Sequence, residues 1–162
     1  MQIRKIDQSE AKIFFDCMKN IDQETKFMMF EPGERQFDED LIVKNLSNEN
    51  DLFLGAFSEH EIVGFLAAKR GSFRRIRHSA YVVIGIRRSF QGKGIGTKLF
   101  DNLDEWARKN QVKRLELTVE TQNTPAINLY EKQGFISEGI KKKTTLVDGE
   151  FVDEYMMAKL YI

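Results

Sequence analysis

The chain predicts one α/β domain: a mixed, mostly antiparallel sheet of six or seven strands, flanked by about four helices. Three observations predict it. The 162 residues run without linker, repeat or low-complexity tract, a length suited to one domain with a substantial core, so residues 1–162 are taken as that domain. Between residues 81 and 119 a strand, a glycine-rich turn, an amphipathic helix and a second strand follow one another. Such a crossover makes its two strands parallel. Most other strand candidates come as adjacent pairs with short turns, the pattern of antiparallel hairpins.

Each element has its own signal. Residues 2–6 are a short strand candidate. Residues 9–20 read as a helix with Ile13, Phe14, Cys17 and Met18 on one side. Glu31-Pro32-Gly33-Glu34 breaks the pattern and reads as a loop before a second helix over 38–47, built on Leu41, Ile42 and Leu46. Leu52–Phe57 and Ile62–Lys69 are strands joined by Ser58-Glu59-His60-Glu61. Tyr81–Ile86 is almost continuously apolar, which predicts a strand buried on both faces. Ile95, Leu99, Leu103 and Trp106 form a helical stripe suited to lie on a sheet. Leu115, Leu117 and Val119 alternate with polar residues and mark another strand. Asn123-Thr124-Pro125 starts the last helix with a cap and a first-turn proline, and Gly134 ends it. Strands over about 135–143 and 151–161 turn at Asp148-Gly149.

Composition narrows the function classes. There are 25 basic and 25 acidic side chains, unlike the strongly basic domain of a general nucleic-acid binder. Cys17 is the only cysteine, and His60 and His78 are the only histidines. That argues against a disulfide and against a Cys/His metal site. Met1-Gln2-Ile3-Arg4-Lys5 lacks the apolar core of a secretion signal, and no apolar run has membrane-spanning length. A cytoplasmic protein is expected, with neither nucleic acid nor membrane as partner.

The most informative stretch is Gln91-Gly92-Lys93-Gly94-Ile95-Gly96, between a strand and a helix. Alternate glycines remove side chains from the turn, so its N–H groups can approach a ligand closely. The helix that follows directs the positive end of its dipole to the same place. A plain strand–helix connection needs one glycine. A dinucleotide fingerprint needs its third glycine one position later, where Thr97 stands, and no Walker A spacing is present. The pattern that fits is a phosphate-holding Gln-x-x-Gly-x-Gly loop.

That loop resembles the pyrophosphate loop of the GNAT family of N-acetyltransferases, which use acetyl-CoA. Ile84-Gly85-Ile86 is similar to the family's preceding strand. Asn123, Ala126, Leu129-Tyr130 and Gly134-Phe135 match its second motif, Asn-x-x-Ala-x-x-Leu-Tyr-x-x-x-Gly-Phe. The resemblance covers roughly residues 80–136. The tail from Glu138-Gly139 to Ala158 also resembles bacterial members that acetylate amino acids and similar small amines. The implied fold has a central parallel pair that parts to admit the cofactor, and homodimers are common in the family.

The resemblance implies roles for particular residues. The amides of Gly92, Lys93, Gly94, Ile95, Gly96 and Thr97 would hold the pyrophosphate, with Gln91 bonding the loop or a phosphate. Lys93 and Lys98 would add charge or be solvated. Ile84, Gly85 and Ile86 would hold the pantetheine arm, and the Ile86 backbone N–H would polarise the thioester carbonyl. Asn123 would touch the cofactor or serve only as a helix cap. Tyr130 would contact the cofactor and give a proton to its sulfur. Some relatives carry a glutamate base where this chain has Thr118; Glu116 is expected on that same face, with Glu120 turned the other way, and either would act through water.

A weak base position has a consequence. At pH 7, neutralising an α-amine of pKa about 7.8 costs about 1 kcal/mol, whereas a lysine-like amine of pKa about 10.4 costs about 4.6 kcal/mol. The weak base position therefore leans toward an α-amine, either a free amino acid or a peptide N-terminus, and against a polyamine or a histone-like lysine. The expected function is direct acetyl transfer to a small primary amine such as an L-amino acid. Substrate contacts are expected from the helix–helix loop and last hairpin, with Glu31, Arg35 and Tyr155 as candidates. Arg35 suits a carboxylate. Cys17, on an apolar helix side, is expected to be a buried structural thiol. The basic run Arg74-Arg75-Ile76-Arg77 reads as a solvated turn, or as a contact for an acidic partner or the coenzyme's 3′-phosphate. The rival readings are protein N-terminal acetylation and a degenerate module that only binds acyl-CoA.

Overall fold

The computed structural model describes residues 1–162. Its chain runs β1 (Gln2–Lys5), α1 (Ala11–Glu24), α2 (Glu39–Leu46), β2 (Leu52–Ser58), β3 (Glu61–Arg70), β4 (Ser79–Ile86), α3 (Ile95–Lys109), β5 (Arg114–Glu120), α4 (Thr124–Lys132), β6 (Ile136–Val147) and β7 (Glu150–Leu160). The seven strands form one sheet in the order β1-β2-β3-β4-β5-β7-β6. Every neighbouring pair is antiparallel except β4–β5. This is the expected mixed sheet with four helices.

Local chemistry places the element ends. Asp7 accepts from Ser9 N, and Glu10 reaches back to Asp7 N at 2.8 Å, a capping box that leads through one short turn into α1. α1 continues beyond the expected residue 20 because Ile21 extends its buried stripe. Asp38 caps α2 by accepting from Leu41 N at 3.1 Å. Asp148 (φ 50°) and Gly149 (φ 79°) make the two-residue turn between β6 and β7, and two successive positive-φ residues match the right-handed twist of the strands.

The sheet separates two apolar layers. On one face, Leu99, Phe100 and Leu103 of α3 pack on Leu54, Val63, Leu66, Val82, Leu115 and Leu117. Tyr130 of α4 and Phe135 close this layer, each with its ring edge on Phe100. On the other face, Phe14, Phe15 and Ile21 of α1 cover Phe53, Phe57, Ile62 and Phe65. Burial of each large apolar side chain contributes about 1.5–3 kcal/mol.

One expectation needs correction. β4 is not buried on both faces. Ala80 and Val82 lie in the α3 layer, but Tyr81 and Val83 are exposed. The reason is reach: α1 covers the sheet only as far as the far end of β4, where Ile21 lies against Gly85. The rest of that face, across β4, β5 and β7, has no helix over it.

Candidate active site

The glycine turn lies at the C-terminal end of β4. After one short turn the chain enters α3 through Gly92 (φ +73°) and Gly94 (φ +80°). Both are left-handed conformations that favour glycine. A Cβ at either would meet nothing within 4 Å, so the space beside this backbone is open. Gly94 caps α3 with no side-chain hydrogen bond, and no acidic side chain lies in the first turn. The first amides of α3 are therefore free and face a positive dipole end, the arrangement that holds anions. Gly96 serves a different need: a Cβ there would lie 2.9 Å from Leu129, so this glycine lets α3 and α4 approach. Ile95 is buried in the core, which leaves only its backbone for a ligand. Gln91 Nε2 donates to Ile86 O at 3.2 Å, fastening the loop to the strand end. Lys93 lies 5.3 Å from the Phe90 ring centre, while Thr97 and Lys98 are exposed.

Beside this loop the parallel pair parts. β4 and β5 pair only at Ser79/Arg114, Ala80/Leu115 and Tyr81/Glu116. Beyond that rung β4 stays paired with β3 as far as Ile86/Gly64, and β5 stays paired with β7 as far as Glu120/Glu154. Each strand keeps its outer partner while the inner edges separate. Arg87 N donates to Val63 O, and Gly71 N donates to Ser79 O. These bonds set the odd-numbered residues of β4 against β3. Alternation then turns the N–H groups of Ile84 and Ile86 into the gap. Just past the last rung the Tyr81 and Thr118 hydroxyls meet at 2.8 Å, a strut between the two strands.

Tyr130 approaches this region from the α3–α4 side. It is buried, and burial pushes its phenol up, with Tyr81 adding to the push. The hydroxyl therefore stays protonated throughout the neutral range. Asn123 Oδ1 accepts from Ala126 N at 3.4 Å, so its cap role is made, though long.

The carboxylates of β5 differ sharply. Glu116 stands at the last paired rung, where Arg114 Nε donates to it at 2.8 Å and the same guanidinium takes Glu138 with its other nitrogens. The expectation that Glu120 turns away from Thr118 is corrected: residues 116, 118 and 120 alternate onto one face, and the regular pairing with β7 through Glu120/Glu154 leaves no slip to change that. This face is opposite the α3–α4 layer.

A model of the acetyltransferase (GNAT) family matches residues 15–135. The chain belongs to the GNAT family of acetyltransferases. L-amino acid N-acetyltransferase AaaT of Escherichia coli is 36% identical over 111 residues, 66% of this chain and 67% of the relative. N-alpha-acetyltransferase RimI of Mycobacterium tuberculosis is 30% identical over 117 residues, 72% and 70% of the two chains. A GNAT acetyltransferase from Streptococcus pneumoniae has a TM-score of 0.92 at 29% identity over 99% of each chain. YncA of Salmonella typhimurium, solved with its cofactor acetyl-CoA, shares the fold at TM-score 0.86 and 20% identity, over 99% of this chain and 93% of that one. This GNAT protein is an acetyl-CoA-dependent acyltransferase. The open cradle at Gly92 and Gly94 suits a diphosphate, and the unpaired inner edge of β4 suits an amide-bearing arm.

Around the acceptor side of this acetyltransferase, the candidates separate. Arg35 is already engaged: its guanidinium holds Asp22 of α1 through Nε at 2.7 Å and Nη2 at 3.1 Å, and stacks over Phe30. Its fork is not free for a substrate carboxylate. Tyr155 pairs with Val119 and packs against the α3 layer, away from the Glu120 face. Glu31 is exposed in the loop, its N–H bonded to the Glu34 carboxylate at 3.1 Å. Sequence reasoning missed the link between this loop and the last hairpin, where Lys26 bonds Asp148 across 122 positions. It also missed Glu24, which takes Arg87 Nε and Arg88 N and ties the end of α1 to the exit of β4. No local pattern signals either pairing.

Other features of the molecule lie elsewhere. Cys17 is buried under α1 and its thiol is pushed up to about 12, chiefly by burial, so it is a poor nucleophile. Arg74, Arg75 and Arg77 sit at the β3–β4 turn, the opposite end of β4 from the glycine loop. A strand of eight residues separates them by about 25 Å. They are not placed for the coenzyme's phosphates beside that loop. No helix is long and apolar enough to cross a membrane, and no group of three or more His, Cys, Asp or Glu is placed to hold a metal ion.

Proposed function

We propose that this acetyltransferase modifies the primary amine of a small molecule by direct transfer, with free L-amino acids as the acceptor class. The observation that carries this reading is the parted β4–β5 pair, which leaves room between the two strands for an acetyl thioester and an amine. The AaaT similarity supports the amino-acid class. An α-amine is also cheaper to neutralise than a lysine-like side chain, most so at a peptide N-terminus, where the cost is about 1 kcal/mol near pH 7; the neighbouring carboxylate of a free amino acid raises that cost.

Acetyl-CoA, when bound, supplies an activated acetyl thioester. The rest of the work falls to the chain. The amides from Gly92 to Thr97 would bind the diphosphate, with Asn123 beside the arm. The Ile84–Ile86 edge would orient that arm through backbone hydrogen bonds. The Ile86 N–H would steady negative charge on the carbonyl oxygen, a fixed dipole of the kind that contributes most to acyl transfer. Tyr130 holds a proton at its Oη for the departing sulfur.

A second reading has its own support: the similarity to RimI, and to a ribosomal-protein-alanine N-acetyltransferase of Brucella melitensis with TM-score 0.86 and 25% identity. Thiol release from acetyl-CoA should be measured with L-amino acids, small diamines and short peptides carrying matching N-terminal residues. The expected result is kcat/KM highest for free amino acids. A clear preference for peptides would replace the first reading with the second.

A further inference from the structure

Four observations single out Glu120. It is only 7% exposed. It forms no ion pair and no side-chain hydrogen bond, in contrast to Glu116 in the Arg114 fork. Neither of its oxygens is sealed from solvent, since the one enclosed, unpartnered side-chain oxygen in the molecule is Thr145 Oγ1. It also lies on the parted stretch of β5, beyond the last β4–β5 rung, on the face not covered by a helix. Its register partner on β7 is Glu154, with side chains on the same face. Directly opposed residues of an antiparallel pair have Cβ atoms about 5 Å apart. Glu154 has no ion-pair partner either. Glu120 thus has no donor within the protein and keeps its oxygens open to water on the side of the gap, so an ammonium entering there can take the place of water without displacing a protein partner.

We infer that Glu120 is the base of this transferase: it receives the acceptor's ammonium beside Glu154 and takes its proton. The inference rests on the reading of the protein as an acetyl-CoA-dependent N-acetyltransferase. One proton passes from the ammonium to a Glu120 oxygen. The nitrogen lone pair so freed forms the new C–N bond as the C–S bond breaks, with its electron pair on sulfur. Tyr130 gives that sulfur one proton. The second N–H proton, released as the amide forms, restores the Tyr130 hydroxyl through water, and Glu120 returns its proton to solvent.

The electrostatics agree. Burial raises Glu120 above the usual carboxylate range, and Glu154 raises it further. The charged and titratable groups facing it are few. From β7 it meets Glu154; beyond that, Lys141 of β6 is the register partner of Glu154. On β4 the titratable side chain of this face is Tyr81, hydrogen-bonded to Thr118. On its own strand Glu116 is held by Arg114. No cation of the protein neutralises the site.

The test is a pH profile of kcat/KM, from pH 4 to 10, for the full chain with acetyl-CoA and its best acceptor among L-amino acids and diamines. Glu120→Gln should lower kcat/KM at pH 7 by about 100-fold, recover as pH approaches the acceptor's own pKa, and leave the Kd for acetyl-CoA and the Tm undiminished. Glu120→Asp should restore part of the rate. Glu154→Gln should move the acidic limb to lower pH, because removing the neighbouring charge lowers the Glu120 pKa and a base works above its pKa. A wild-type rate and profile in Glu120→Gln would overturn the inference alone. Lost acetyl-CoA binding or a lower Tm in that variant would overturn it too, by making the residue structural. Failure of wild-type protein to bind acetyl-CoA or to turn over any acceptor would instead remove the underlying reading.

Discussion

The two halves of the β4–β5 pair contrast. In the paired half, Ser79–Tyr81 against Arg114–Glu116, every inner-edge backbone group has a strand partner, and Glu116 is fixed by Arg114. In the parted half, beyond the Tyr81/Glu116 rung, the inner-edge amides of Ile84 and Ile86 face open space and Glu120 has no side-chain partner. Both halves belong to the same two strands, so composition does not separate them. What separates them is whether a group's hydrogen bonds are completed within the fold. Completed groups build stability. Uncompleted ones, kept in place by strong outer-edge pairing with β3 and β7, are available to a ligand.

Replacing Tyr130 by Phe attacks the parted half most directly. The ring would still pack on Phe100 and Phe135, so Tm should change little. Without a proton donor, kcat should fall by about 10²–10³-fold, while KM for acetyl-CoA stays within a few-fold. A stopped-assay comparison of kcat and KM checks this. An unchanged kcat would place Tyr130 with the structural groups and blur the contrast.

Gly94→Val is the next largest. A β-branched residue at φ +80° is strained by about 1–3 kcal/mol, and its side chain would occupy the open cradle. Calorimetry should show acetyl-CoA binding weakened by about tenfold to a hundredfold. Retained affinity would mean that the diphosphate lies elsewhere.

Much of this was legible in the sequence because it is periodic or local. The alternate glycines, the Asn123-Thr124-Pro125 cap and the Asp148-Gly149 turn each specify backbone within a few residues. The face of Glu120 was also legible, since two positions along a strand always return to the same side; the expectation that it differs from Thr118 went against that rule. Other features had no local signal. Arg35 matches Asp22 only because the loop after α1 folds back on the helix, and Lys26 meets Asp148 only through tertiary closure. The exposure of Tyr81 and Val83 depends on how far α1 reaches across the sheet, which an apolar run cannot report.

The smallest expected effect comes from Glu116→Gln, and its smallness is the point. Glu116 and Glu120 share a strand, a face and a chemical group, and sit four residues apart. If any carboxylate on this face could serve, the two substitutions would cost similar activity. Glu116 stands at a closed rung, and its lone pairs are directed to Arg114. Losing that charge leaves Arg114 with Glu138, which donation from the guanidinium holds below the usual carboxylate range. A group lowered in this way stabilises the fold above its unfolded pKa and loses that contribution as pH falls through the folded value. Glu116→Gln should therefore lower stability by no more than about 1 kcal/mol in urea unfolding at pH 7, keep kcat/KM within about twofold, and leave its pH profile unmoved. A loss matching that of Glu120→Gln would mean that the face acts as a diffuse acidic patch, and the boundary at Tyr81/Glu116 would then mark a change in backbone pairing without marking the limit of the chemistry.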